Sequence, residues 1–419
     1  MVLMEISMPI ISYSIVILLG VTLLLVILLL VIKEKLTPEG NVKIVINGEK
    51  ELLTERGSTI LSKLGENQVY LPSACGGGGS CGMCRCQVLS GGGEILPTEV
   101  GFFNRQQIQN HWRLGCQVKI REDLEIQIPE EILGIKKWEC EVVSNHNVAS
   151  FIKEFVVKLP EGETLNFKPG SYIQIDVPAI NVDFKDFVID EQFKSEWDKF
   201  KLWDLKMSNP EPTYRAYSMA NHPAEGNIVM LNIRIATPPF IRETGKWAEV
   251  NPGICSSYLF SLKPGDKVSI SGPFGEFHIN DSKSEMLYIG GGAGMAPLRS
   301  HLLHLFKTLK TTNRKISYWY GARSKNEIFY EEDFRTIEKE FPNFNFYIAL
   351  SEPKPEDNWT GPVGFIHQVI YDNYLKSIDF PEDIEYYMCG PGPMAKAVQK
   401  MLDEQGVPPE MLRFDDFGA

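Results

Sequence analysis

The sequence predicts a multidomain chain: an N-terminal transmembrane helix, a small α+β domain, an antiparallel β-barrel, and a C-terminal α/β domain built on a parallel sheet. Three observations predict it. Residues 6–32 contain no charged side chain. Short β-branched runs separated by turn residues recur between residues 42 and 271, a rhythm that suits antiparallel sheets. From Met286 onward the order becomes strand, glycine loop, helix, strand, as in doubly wound α/β domains.

The bounds agree with several domains. A length of 419 residues allows two to four domains of roughly 100–200 residues each. The expected division is an anchor at 1–36, a first domain at 37–133, a barrel at 134–281 with an insertion at 180–212, and an α/β domain at 282–419. With 43% hydrophobic and 23% charged residues, the composition excludes wholesale disorder and a polytopic membrane protein. Net charge is −12, and no Lys/Arg stripe is present to track phosphates, so nucleic acid is excluded as a partner. Eight cysteines are too sparse for a disulfide scaffold. Cys75, Cys81, Cys84 and Cys86 crowd together, which suggests metal, whereas Cys140, Cys255 and Cys389 stand alone as reduced thiols do.

The N-terminal run is long enough to span a bilayer. Residues 10–32 number 23, roughly 35 Å as a helix against a hydrocarbon core of ~30 Å. Lys33 and Lys35 follow it and only Glu5 precedes it, so the positive-inside bias places the bulk of the chain in the cytoplasm. A cleaved signal peptide fits less well: there is no basic leader and no small-residue cleavage site.

Asn47-Gly48 between β-branched residues marks a hairpin that opens the first domain. An alternating strand at 124–128, stopped by Pro129, closes it. Further strands are expected at 155–159, 171–177, 228–235 and 267–271, with a new domain starting near Trp138. Segment 180–212, polar and aromatic with Trp197 and Trp203, fits no strand pattern and reads as a surface loop with a short helix.

The chemistry begins with Cys75-x5-Cys81-x2-Cys84 and, after another 31 residues, Cys116. Three thiolates on one loop with a distant fourth is the plant-type 2Fe-2S arrangement, here with a first gap one residue longer. Gly76 to Gly79 and Gly82 let the loop wrap closely and aim N–H groups at sulfide. Zinc is the competing reading, but a structural zinc site wants two paired knuckles, and only Cys81-x2-Cys84 is one. Cys86, on the outgoing strand, reads as a small buried hydrophobe. A Rieske centre needs Cys-x-His, which is absent.

Next come Arg215-Ala216-Tyr217-Ser218 and Gly253-Ile254-Cys255-Ser256-Ser257. An arginine, an aromatic ring and a hydroxyl suit a flavin's pyrophosphate, ring and reactive edge. A glycine followed by serines at a helix start offers N–H groups to the same phosphates. Each is weak alone, since such a tetrapeptide also suits an ordinary barrel strand. The third set is Gly290-Gly291-Gly292-Ala293-Gly294-Met295-Ala296-Pro297, between a buried strand and a helix, which makes a pyrophosphate site. Pro297 stands where the dinucleotide fingerprint has its third glycine, which argues against the usual dehydrogenase domain. Met388-Cys389-Gly390-Pro391 again runs from strand into turn. Cys389 is either a core thiol or a group placed beside a reacting ring.

Together, Arg215-x-Tyr217-Ser218, Gly253-x-Cys255-Ser256, Gly292-x-Gly294-x-x-Pro297 and Cys389-Gly390-Pro391 resemble the ferredoxin-NADP reductase superfamily in order and spacing. With the N-terminal helix, the cysteine-bearing domain, the insertion and the ending Asp415-Asp416-Phe417-Gly418, the whole length is similar to the family of F subunits of sodium-translocating NADH:quinone reductases. The resemblance implies a ferredoxin-like β-grasp domain with a 2Fe-2S cluster on Cys75, Cys81, Cys84 and Cys116, FAD on the barrel and NADH on the last domain. It implies that Arg215, Tyr217 and Ser218 hold FAD, with Ser218 near N5, and that Gly253, Ser256 and Ser257 meet the pyrophosphate. Gly290, Gly292, Gly294 and Pro297, with Gly390 and Pro391, would cradle NADH, Cys389 would lie near the nicotinamide C4, and Phe417 would cover the flavin. Phe417 alternatively pins the chain end. The partners implied are the other membrane subunits, with quinone reached indirectly.

NADH gives an electron pair as hydride and a cluster takes one electron, so something must split the pair, and a flavin can. Residues 6–32 hold no acid, base or histidine, so the helix offers no sodium path and pumping belongs to other subunits. The alternative is a reductase component of an oxygenase, which shares the cofactors but is usually soluble. Arg323 and Ser324, after the strand at 316–320, leave NADPH chemically open.

Overall fold

The computed structural model describes residues 8–36, 40–241 and 243–415. Phe417, expected over the flavin, lies outside the described residues. The first element is a 29-residue helix, α1 (Met8–Leu36), about 44 Å long at 1.5 Å per residue. Within it the hydroxyl of Thr22 is returned to the backbone, donating to Leu18 O at 2.7 Å. Side chains are described without a break over residues 13–29, and all are exposed. That run is about 26 Å long, short of a hydrocarbon core of about 30 Å, so among the described residues no helix is long and apolar enough to cross a membrane. Of the rest of residues 10–32, Val31 is exposed and the other side chains lie outside the described set.

The chain divides into two compact units, Met1–Leu71 with Cys84–Glu130, and Pro72–Met83 with Glu131–Ala419. In the smaller unit, β1 (Asn41–Ile46) and β2 (Lys50–Glu55) form a hairpin across Asn47 and Gly48, both at positive φ (53° and 73°), as the tight primed turn demands. Strands β3 (Arg85–Ser90), β4 (Trp112–Leu114) and β5 (Leu124–Gln127) complete a sheet of order β2-β1-β5-β3-β4, with β5 parallel to β1. Helices α2 (Ile60–Glu66), α3 (Pro97–Val100) and α4 (Arg105–Gln109) join the strands. Thr59 caps α2 by accepting from Ser62 N at 3.2 Å, and Ile60, Leu61 and Leu64 bury its inner face. A buried ion pair, Arg113 Nη2 to Glu99 Oε2 at 2.7 Å, is fully bonded: Glu99 also accepts from Leu114 N, and Arg113 donates to the carbonyls of Gly92 and Gly93. That satisfaction is what makes such a pair tolerable in a core.

In the larger unit, after α5 (Glu130–Leu133), strands β6 (Lys136–Ala149), β7 (Ile152–Lys158), β8 (Tyr172–Val177), β11 (Thr213–Ser218), β12 (Ile228–Arg234) and β15 (Lys267–Phe274) form a six-stranded antiparallel sheet of order β11-β8-β15-β6-β7-β12. Its two edges meet at a bridge between Met219 and Leu231. The insertion is more than the expected surface loop. Its ends, β9 (Ile180–Asp183) and β10 (Lys206–Asn209), pair antiparallel and enclose α6 (Glu191–Lys199). Phe184 and Trp197 are fully buried and join the core of the sheet, so the aromatic content that broke the strand pattern is a packing surface. A small hairpin, β13 (Phe240–Ile241) with β14 (Lys246–Trp247), precedes α7 (Ile254–Ser261).

The last part is a parallel sheet of order β18-β17-β16-β19-β20, from β16 (Met286–Gly291), β17 (Ile316–Ala322), β18 (Phe344–Leu350), β19 (Glu385–Cys389) and β20 (Leu412–Asp415). Helices α8 (Met295–Leu303), α9 (Glu331–Glu340), α10 (Ile366–Asn373) and α11 (Gly392–Glu404) pack in two apolar layers. Chain order reverses about β16, so the carboxyl ends of β16 and β19 open a crevice, the place where doubly wound domains bind ligands.

Candidate functional site

The cysteine loop is described in two parts. Cys75 and Cys81 belong to the larger unit, where Cys81 Sγ donates to Cys75 Sγ at 3.4 Å. Burial raises the Cys75 thiol, but the backbone N–H groups of Cys81 and Ser80 outweigh it and bring it down to about 6. Burial pushes Cys81 upward instead. Two thiolates on one tetrahedral metal stand about 3.8 Å apart for a metal–sulfur bond of about 2.3 Å, so this pair could meet one iron of a cluster with a small adjustment. Gly76, Gly77, Gly79 and Gly82 all take positive φ, as the wrapped loop requires. Cys84 and Cys116 belong to the smaller unit and are buried, with Gly115 N donating to Cys84 O at 2.7 Å. Cys86, on β3, is fully buried, and burial pushes its thiol up to about 12, consistent with a core residue. Among the described residues no three Cys, His, Asp or Glu side chains gather around a point fit for a single metal ion.

The two flavin motifs are brought together. Tyr217 and Ser218 end β11, an edge strand paired to β8. The Tyr217 hydroxyl turns inward onto the sulfur of Cys255, in the first turn of α7. Burial first, then the charge of Cys255, holds the phenol well above its usual range, while burial pushes Cys255 up to about 12 against the pull of that hydrogen bond. Arg215 Nη1 donates to Thr213 Oγ1 at 3.0 Å and to Tyr214 O at 2.7 Å. Its remaining N–H groups bond no described residue and suit a phosphate. Ser256 and Ser257 are buried, and their hydroxyls donate to Gly253 O at 3.1 and 2.7 Å. They therefore lock the helix start, and the groups there that could meet an anion are the first-turn N–H groups.

The same strand reaches two further parts of the chain. Ser218 Oγ donates to Asp415 Oδ2, at the end of β20, at 2.5 Å. A Cβ added to Gly76 would come 2.4 Å from Arg215 Nη1 and 2.8 Å from Tyr214 O, so the cysteine loop lies directly on β11. Gln174 Nε2 also donates to Ser73 O at 3.3 Å, and the Tyr172 hydroxyl to the sulfur of Met83 at 3.5 Å. Neither the bond from Ser218 to Asp415 nor the seat for Gly76 was signalled by local sequence.

At the crevice, Gly290 stands beside Cys389 in parallel register. A Cβ on Gly294 would lie 2.0 Å from Cys389 O, so glycine alone lets the turn fold over the end of β19. Gly292 takes a positive φ of 54°. Pro297 falls in the first turn of α8, where its missing N–H leaves no helical bond unmade, so the departure from the fingerprint costs the helix nothing. Cys389 is buried in the core while its backbone forms the floor of the turn. A cleft of about 580 Å³ opens here, lined by Gly291, Gly292, Arg323, Glu327 and Pro391 among others, within the size of small-ligand sites.

Comparisons with known proteins follow the same division. A 2Fe-2S iron-sulfur cluster binding domain model matches residues 44–121, an oxidoreductase FAD-binding domain model 200–279, and an oxidoreductase NAD-binding domain model 288–400. Among solved structures, a cytochrome P450 reductase from Amycolatopsis has a TM-score of 0.61 at 21% identity, over 90% of this chain and 98% of its own. The ferredoxin reductase in carbazole 1,9a-dioxygenase has a TM-score of 0.57 at 23% identity, over 91% and 99%. These two share the fold. The F subunit of the Na(+)-translocating NADH-quinone reductase of Neisseria meningitidis serogroup C is 51% identical over 99% of this chain and 100% of its own length. That of Pseudomonas aeruginosa is 50% identical over 96% of this chain and 97% of its own. With half its residues shared across nearly all of both chains, this chain belongs to the family of F subunits of Na(+)-translocating NADH-quinone reductases.

Proposed function

We propose that the chain is the electron-entry subunit of a membrane-bound, sodium-translocating NADH:quinone reductase, passing electrons from NADH through FAD and a 2Fe-2S cluster to partner subunits. One observation carries this reading: β11 bonds the end of the nucleotide sheet through Ser218 and Asp415, and seats the cysteine loop through Arg215 and Gly76. The three cofactor regions therefore share one strand. FAD, when bound, turns the electron pair of a hydride into the single electrons that a cluster accepts.

The residues position and shield. Gly290, Gly292, Gly294, Pro297, Gly390 and Pro391 form the dinucleotide turn, and Cys389 sets its floor beside the reacting ring. Arg215 and the start of α7 after Gly253 hold pyrophosphate, with Ser256 and Ser257 fixing that helix start, while Tyr217 presents its ring from a hydroxyl anchored on Cys255. Ser218, its hydroxyl held by Asp415, would lie beside the flavin's reactive edge. Cys75, Cys81, Cys84 and Cys116 hold the cluster. Residues 37–133, 134–281 and 282–419 are then the cluster, flavin and nucleotide domains, the six-stranded sheet closing as the flavin barrel. The helix α1 serves as a single-pass anchor in the bacterial inner membrane with the remaining domains on the cytoplasmic side, supported by the uncharged run at 6–32 followed by lysines. Quinone reduction and sodium transport belong to the partners.

An anaerobic NADH titration followed by visible absorbance and EPR tests the route. The flavin bleaches and a reduced-cluster signal rises; bleaching without the signal overturns the proposal. Cys84→Ala is expected to remove the signal and leave flavin reduction intact. Deleting residues 1–36 is expected to abolish quinone reduction in membranes.

A further inference from the structure

Arg323 directly follows β17, the strand beside β16. In doubly wound domains an acid that bonds the ribose 2′-hydroxyl of NAD, or an arginine that takes the 2′-phosphate of NADP, decides between the two. Arginine is the NADP choice, yet here its charge is already taken. Arg323 Nη2 donates to Glu196 Oε2 at 2.8 Å and to Glu327 Oε1 at 3.1 Å, and its guanidinium lies over the Phe151 ring at 5.8 Å. The Glu196 side chain is only 6% exposed, and its other oxygen holds Lys354 Nζ at 3.1 Å. Lys199 Nζ approaches the same oxygen at 4.0 Å, so Glu196 gathers three cations, and Arg323 itself is shared between two carboxylates beside the cleft.

Glu196 is built into place. It sits on α6 inside the insertion, next to Trp197, which is fully buried and whose Nε1 donates to Ser150 O at 2.7 Å. The Ser150 hydroxyl in turn fixes Glu327, donating to Oε1 at 2.6 Å. Arg323 and Glu327 both line the crevice with Gly292 and Pro391. Next to Arg323, the Ser324 hydroxyl is buried with no partner among the described residues.

We infer that Glu196, delivered by the 180–212 insertion, is a specificity-determining residue that ties up Arg323 and so reserves the crevice for NADH over NADPH. A 2′-phosphate reaching Arg323 has to displace one buried carboxylate and stand beside another, a like-charge contact. NADH brings a neutral hydroxyl there and meets no such penalty. The inference rests on the crevice being the NADH site.

The test uses the full chain, with ferricyanide as acceptor and NADH or NADPH as donor, and with adenosine 2′,5′-bisphosphate binding measured by calorimetry. Glu196→Gln keeps the shape and removes the charge. It is expected to raise kcat/KM for NADPH by about tenfold or more, through KM, on the scale of specificity changes that one polar contact supplies, and to tighten the bisphosphate, with NADH little changed. Arg323→Ala alone is expected to leave NADPH use low, and the double variant to lose the gain. A Glu196→Gln protein that NADH still reduces but that gains nothing with NADPH or the bisphosphate overturns the inference, as does a gain that survives Arg323→Ala. Should Glu196→Gln not fold, Glu327→Gln removes the other carboxylate, and an unchanged NADPH to NADH ratio there overturns it equally. Failure of NADH to reduce the wild-type flavin instead overturns the function proposed above.

Discussion

Ser218 and Asp415 are 197 residues apart in sequence, yet their Oγ and Oδ2 atoms are 2.5 Å apart, with the hydroxyl donating. Because serine has a single proton, the carboxylate fixes which way that hydroxyl points. Asp415→Asn removes the charged acceptor and lets the hydroxyl turn. A hydrogen bond to a charged group contributes about 1.5–3 kcal/mol, so the rate of flavin reduction by NADH is expected to fall about 10- to 100-fold. FAD content and the dithionite-reduced cluster signal should be retained. A stopped-flow rate equal to wild type would show that Asp415 does not orient Ser218 for the reaction.

Features that repeat along the chain were legible in the sequence, because local geometry dictates them. Asn47-Gly48 made its hairpin turn, and the glycines after β16 and the Met388-Cys389 strand end came together at one crevice. Cys86 proved a buried core thiol. Contacts between distant segments were not legible. Asp415 carries no local signal of its bond to Ser218, and Gly76 reads as one loop glycine among several until Arg215 is seen against it. The insertion was read in part: its short helix is there as α6, with Phe193 and Trp197 on one face, but the pairing of the segment's distant ends, which folds Phe184 and Trp197 into the core, carried no local signal.

His301 gives the larger unit an acid sensitivity. It is fully buried, stacked on Phe277 at 4.9 Å, with Nε2 bonded to Phe277 O at 2.9 Å. Burial is the main cause that lowers its pKa to about 3. The unfolded chain binds a proton below pH about 6.5 that the folded chain refuses until about 3, so stability is present above 6.5 and lost as pH falls through that window. The loss is about 1.4 kcal/mol per pH unit. His301→Gln, able to donate to the same carbonyl, is expected to flatten the decline. Urea melts at pH 7 and pH 5 should show wild type losing about 2 kcal/mol more than the variant; equal losses would place the acid sensitivity elsewhere.

Gly76 offers a way to separate the two electron steps. It neighbours Cys75, takes a φ of 68°, and leaves no room for a Cβ against Arg215 Nη1 and Tyr214 O, at 2.4 and 2.8 Å. Gly76→Ala must push the cysteine loop off β11, and it adds a left-handed strain of about 1–2 kcal/mol. Electron transfer weakens steeply with distance, whereas hydride arrives at the nucleotide crevice at the far end of the same strand. NADH should therefore bleach the flavin at the wild-type rate, while freeze-quench EPR shows the cluster signal rising several-fold more slowly. Gly48→Ala is the control: its φ is 73° with nothing within 4 Å of an added Cβ, so it carries the strain without the collision. If both variants slow cluster reduction alike, general loosening is the cause; if only Gly76→Ala does, the packing of the loop on Arg215 sets the second step.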